Sequence, residues 1–236
     1  MQILNPLRRI FLFLLCSSCV LAGCNGDAAS GPEEGVITYS ISYPKPAADA
    51  FNQKMMPDEM IMKFKNDKVL TALTFSMGFI KIDYLADNEN KKLTGLTKFM
   101  NTKLAYIYTP ENLDYLLKDF PPYTIEKTDE TKVIAGYNCK KAIMHLKGAN
   151  PYDFTVYYTD EIQIKDPNWY TPFKELNGVL MEYQVEQYDI IMRFTAKSVD
   201  LIEQDDNDFI APHEFRLAPR VEIDSVHKML KELNEE

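Results

Sequence analysis

The stretch Gly178-Val-Leu-Met-Glu-Tyr-Gln-Val-Glu-Gln-Tyr-Asp-Ile-Ile-Met-Arg-Phe-Thr-Ala-Lys-Ser-Val199 decides the fold class. Val179, Met181, Tyr183 and Val185 recur at every second residue, Gln187-Tyr188 interrupts, and Ile190, Met192, Phe194 and Ala196 resume the same beat. Side chains alternate between the faces of a strand, so this pattern predicts two antiparallel strands over 178–186 and 189–199, each with one apolar face.

The same period runs outward along the chain. Ile37, Tyr39, Ile41 and Tyr43 share one face of a predicted strand, and 60–70 reads as a hairpin turning at Asn66-Asp67, where asparagine tolerates positive φ. Further strands are predicted over 79–84, 103–108, 123–127, 132–134, 139–146 and 154–158. Thr109-Pro110 supplies a cap and a first-turn proline for an internal helix whose Leu113, Leu116, Leu117 and Phe120 fall on one face before Pro121-Pro122 stops it. A short helix over 47–55 and a helical tail with Val226, Met229, Leu230 and Leu233 complete the reading. A long antiparallel meander with so few helices cannot cover both faces of a flat sheet. The expected architecture is therefore mainly β (α+β), a sheet that curls toward an unclosed barrel or folds on itself.

The first residues state an address. Arg8-Arg9, the apolar run 10–22 and the small residues after it follow the layout of a secretory signal, and the run spans only about 20 Å as a helix, too short to cross a bilayer. Leu21-Ala22-Gly23-Cys24 resembles the bacterial lipobox, whose cysteine becomes the acylated first residue of an exported lipoprotein. Residues 25–35 lack large apolar side chains and read as a flexible tether. The predicted organisation is a signal peptide at 1–23, a lipidated cysteine and tether at 24–35, a sheet domain at 36–222 and a helical tail at 223–236. The expected address is the bacterial cell envelope, lipid-anchored at the outer membrane, on its periplasmic face or at the cell surface.

Removing 1–23 takes away two of the 26 basic residues and leaves all 35 acidic ones, a formal charge of −11 that argues against nucleic acid as a partner. Cys16 and Cys19 leave with the signal and Cys24 goes to lipid, so only Cys139 remains and the body must stabilise itself by burial. Phosphate loops, nucleophile elbows, zinc-ligand pairs and calcium loops are absent in the form their chemistry requires. His145, His213 and His227 stand far apart, and the acidic run 203–208 lacks the glycine and distal glutamate of a calcium loop. Neither an enzyme, a metal nor a cofactor is expected.

Four segments carry a wider resemblance: Ile134-Ala-Gly-Tyr-Asn-Cys139-Lys-Lys-Ala142, Phe154–Ile162, Phe173–Tyr183 and Met192–Val199, followed by Asp208-Phe-Ile-Ala-Pro212. Over roughly 35–220 the chain is similar to exported domains of the GLPGLI type, near the lipoprotein-carrier-like proteins. That resemblance implies a strongly curved half-barrel with helices on its concave side, around an apolar cavity that takes acyl chains. The methionine-rich strands offer an adaptable lining for such a cavity: Met60, Met62, Phe64, Met181, Tyr183, Met192 and Phe194, with Leu113, Leu116 and Leu117 of the internal helix as a lid. The leading expectation is a membrane-anchored protein that carries or accepts a lipid or acyl chain. The alternative is a non-enzymatic envelope module that docks another protein and has a packed core.

Overall fold

The computed structural model describes residues 33–44, 56–117, 120–148, 151–187, 190–225 and 228, which belong to one unit. The signal segment, Cys24, most of the tether, the helix expected at 47–55 and most of the C-terminal tail lie outside the described residues.

Twelve strands form one sheet. They are β1 (Glu34–Ser42), β2 (Glu59–Lys65), β3 (Lys68–Phe75), β4 (Ile80–Asp87), β5 (Lys92–Phe99), β6 (Thr102–Tyr108), β7 (Tyr123–Ile134), β8 (Tyr137–Leu146), β9 (Asp153–Thr159), β10 (Val179–Gln187), β11 (Ile190–Asp200) and β12 (Arg216–Leu217). Their order is β12-β6-β5-β4-β3-β2-β1-β11-β10-β9-β8-β7, and among the described residues no ladder joins the two ends, so the sheet is open. All neighbours are antiparallel except β12, which lies parallel to β6. The chain is thus two consecutive meanders, β1 to β6 and β7 to β11, joined in the middle of the sheet by β1 and β11.

The period-two reading carries through to burial. Ile37, Tyr39 and Ile41 of β1 turn inward together with Met60, Met62 and Phe64 of β2 and Met192, Phe194 and Ala196 of β11. The hairpin read at 178–199 is β10 and β11, with Tyr183 opposite Phe194 and Val185 opposite Met192. Asn66 turns β2 into β3 with φ 51°, as its side chain permits. The predicted gap between 127 and 132 is a bulge inside one long strand, since β7 shifts register against β8 between Lys127 and Thr131.

Two features differ from expectation. Lys92–Phe99 forms a full strand although the sequence gives it no clean alternation; it is buried on both faces over most of its length. The internal helix is a single turn, α1 (Asp114–Leu117), instead of starting at Pro110. Asn112 explains this: its Oδ1 accepts from the Thr109 N–H (2.8 Å) and its Nδ2 donates to the Ile107 carbonyl (3.3 Å). These side-chain bonds stabilise a turn where the helix would have begun. A second short helix, α2, covers 220–225.

After β11 the chain straps across the second face of the sheet. Asp206 and Asp208 reach Lys65 (2.9 Å) and Lys63 (2.7 Å) on β2, and Phe215 packs on Leu85, Leu96 and Ala105. The acidic run is therefore a capped surface turn, as its missing glycine implied, with Asp205 accepting from the Asn207 N–H. Beyond β12 the chain rounds the β6 edge, and Ile223 joins Phe75, Ile80, Ile82 and Leu104 on the first face.

Candidate functional site

The first face brings the strand residues singled out above into one cluster. Met60, Met62, Phe64, Met181, Met192 and Phe194 are all buried in it, and Tyr183 packs against its edge. The Tyr183 ring stacks on Phe194 with centroids 5.0 Å apart and meets Tyr39 and Phe173 edge to face at 6.1 and 5.7 Å. Such contacts fill space with aromatic area and add roughly 1 kcal/mol each beyond burial. The Tyr39 hydroxyl donates to the Leu180 carbonyl (2.7 Å), at the bulge where β10 shifts against β9, and lies 3.6 Å from the Met62 sulfur. Burial pushes the Tyr39 and Tyr183 phenols well above their ordinary pKa, so both stay neutral donors.

What covers this face is the connection between β9 and β10, residues 160–178. Ile162 and Ile164 are buried in the central cluster with Trp169 and Tyr170 packed against it, while Phe173 and Leu176 fill the adjoining cluster of Met144, Leu146, Phe154 and Val156. Polar contacts pin the connection to the first meander: the Trp169 indole N–H donates to Asn88 Oδ1 (3.0 Å), Lys91 pairs with Asp166 (2.7 Å), and the Lys165 N–H donates to Asp67 Oδ1 (2.9 Å). Inside it, Asn168 Nδ2 donates to the carbonyls of Leu176 and Gly178. Leu116 of α1 packs against the central cluster beside Tyr115, whereas Leu113 and Leu117 are half-buried. The sequence reading missed this cover. Its signal was a strand-free run of 19 residues carrying the chain's one tryptophan and five other large apolar side chains, longer than connections usually are.

Ile82, Tyr84, Gly95, Thr97, Tyr106, Tyr108 and Ile223 line a void of about 10 Å³, room for one water. Gly95 opens it: a Cβ there would come within 3.0 Å of the Tyr108 ring.

The remaining reactive groups do not converge. Cys139 is fully buried, donates to the Tyr137 carbonyl, and burial pushes its thiol up to about 11, so it is protonated at neutral pH. No group of three or more His, Cys, Asp or Glu side chains is placed to hold a metal among the described residues. His145 sits on the second face between β7 and β9, its Nδ1 3.0 Å from Asp153 and its Nε2 3.2 Å from Glu126. These two carboxylates, Asp153 first, raise its pKa above the ordinary 6.5. A raised folded-state value means that the clasp contributes fully below about pH 6.5 and is lost as pH climbs through the raised value. The urea midpoint of His145→Gln should therefore lie below that of the parent at about pH 5.5 and converge with it by about pH 9. A gap independent of pH would show that the imidazole is not charged in the clasp.

No protein-family model matches the chain, and no curated protein matches it.

Proposed function

We propose that this chain is an acyl-anchored lipoprotein of the bacterial envelope whose sheet domain is a non-enzymatic binding module with a solid core. The observation that carries the reading is the packed first face. The residues suited to line an acyl cavity touch one another and the connection 160–178, and binding then falls to the outer surfaces. The anchor reading rests on Leu21-Ala22-Gly23-Cys24. Strong curvature of the sheet is part of the proposal. It is supported by Leu93 and Tyr108 of β5 and β6 sharing a cluster with Ile134 and Cys139 of β7 and β8, near the opposite end of the strand order.

One observation favours the carrier reading as a second choice. The cover is a single connection whose apolar side chains stand where an acyl chain would lie, and it is pinned to β3–β5 by a few polar contacts. Its displacement would expose the methionine-rich face. The similarity to lipoprotein-carrier-like domains points the same way.

Solvent extraction of the full-length protein purified from its membrane, followed by mass spectrometry, separates the two. The module reading expects only the acyl chains covalently held at Cys24 and no displacement of a fluorescent fatty acid. A stoichiometric non-covalent lipid overturns it in favour of the carrier.

A further inference from the structure

The connection 160–178 leaves the sheet and returns to it at a single rung, since Thr159 and Val179 face each other in the β9–β10 ladder. It is stitched to itself: Asn168 Nδ2 donates to the carbonyls of Leu176 (2.7 Å) and Gly178 (2.8 Å), Thr171 Oγ1 to the Asn168 carbonyl (3.0 Å), and Gln163 Nε2 to the Asp160 carbonyl (2.9 Å). A long loop with adjacent ends and bonds of its own can move as one piece. Phe173 and Leu176, close to the return at Gly178, fill the adjoining cluster, whereas Ile162, Ile164, Trp169 and Tyr170 lie on the central one.

The far side of the connection carries strain. The two turns that hold it are joined, because the Asn88 N–H donates to the Asp67 carbonyl (2.9 Å). Asn88 is fully buried; its Oδ1 takes the Trp169 indole N–H, and its Nδ2, sealed from solvent, has no hydrogen-bond partner among the described residues. A buried donor left unpaired is costly, and opening relieves it. Lys91 and Asp166, the ion pair that also pins the connection, both hold left-handed backbone, φ 51° and 43°, and Asp166 does so directly before Pro167. Glycine or asparagine would occupy the Lys91 turn position with less strain, yet lysine stands there, its ammonium on Asp166 and 5.7 Å from the Trp169 ring centre. The two side chains are 32% and 58% exposed, so the pair itself holds weakly. Strain of this kind gathers where a contact must be released.

We propose that the connection is a flap, hinged at Thr159 and Gly178 and latched at Asp67, Asn88 and Lys91, which opens over the central cluster while the sheet stays folded. Gly178, at φ +150°, gives the hinge the backbone freedom that a side chain would deny it. Opening frees the Asn88 amide, relaxes Lys91 and Asp166, and lifts Ile162, Ile164 and Trp169 from the cluster that holds Met62 and Met181. The apolar area of those lifted side chains opposes the motion and keeps the closed form dominant. The proposal rests on the packed first face and not on the identity of anything the module binds.

Hydrogen exchange on the full chain in detergent, read by NMR, tests this. The probes are the Lys165 and Trp169 amides and the indole N–H of Trp169, the chain's one tryptophan, all three hydrogen-bonded in the closed form. They should exchange at least about tenfold faster than the amides of β1 and β11, with little dependence on sub-denaturing urea, as local opening requires. A short bis-maleimide that joins Lys91→Cys to Asp166→Cys should slow the three probes to the pace of the sheet and leave β1 and β11 unchanged, relative to the same variant left uncoupled; Cys139 is buried out of reach. Probes that exchange only as fast as β1, or with the same urea slope, overturn the proposal. So does fast exchange that the cross-link leaves untouched. Uptake of a fluorescent fatty acid by the uncoupled chain alone supports the flap and overturns the module reading in favour of the carrier. Opening without uptake supports the flap and leaves the module reading standing.

Discussion

Replacing Phe194 by alanine should cost about 4 kcal/mol and lower the thermal midpoint by about 12 °C, the upper range for core truncations in a domain of this size. Phe194 is 2% exposed, stacks on Tyr183 and faces Ile41 across the β1–β11 seam, so the void left behind is walled by strands of both meanders and cannot collapse easily. Urea denaturation of the alanine variant beside a Phe194→Leu control checks this, with leucine expected to recover most of the loss. A cost under about 1 kcal/mol would mean that the first face is loosely filled and would move the balance toward the carrier reading.

Gly178→Ala should destabilise by about 3 kcal/mol, far more than the same change at Gly148. Gly178 closes the connection 160–178 at φ +150°, and a Cβ built there would stand 2.5 Å from the Thr159 carbonyl oxygen and 2.9 Å from its carbon. Both are backbone atoms held in the β9–β10 ladder, and they cannot step aside without breaking it. Gly148, at φ +127°, meets nothing within 4 Å, so alanine there bears backbone strain alone, about 1 kcal/mol. The difference between the two midpoints isolates the collision. Equal losses would show that the chain at Thr159 yields.

Alternation made most of the sheet legible in the sequence, because a half-buried strand must show its face and Met181, Tyr183, Phe194 and Ile37 all do. Lys92–Phe99 escaped for the opposite reason: Leu93, Thr94, Leu96 and Thr97 are buried on both sides, which erases the period. The helix after Thr109 was overcalled because side-chain periodicity cannot show Asn112 bonding the backbone into a turn. Met60, Met62, Phe64, Met181, Met192 and Phe194 share one buried cluster, with Tyr183 and Leu116 packed against it, and helical period pointed to Leu113, Leu116 and Leu117 but not to the connection 160–178. Residues 160–178 have neither period. Their apolar side chains are spaced to fit a surface made by other strands, which no local pattern encodes.

The position of β1 bears on how an anchored body withstands force. The described chain enters the sheet at Glu34, and β1 is laddered on both sides, by seven residue pairs to β2 and seven to β11. If the proposed acyl anchor at Cys24 holds the chain, a pull on the body would load this strand along its own axis. Two ladders would then be sheared together, whereas an edge strand under the same axial pull has only one ladder to resist it. A central strand held by two ladders would thus carry the load of the proposed anchor.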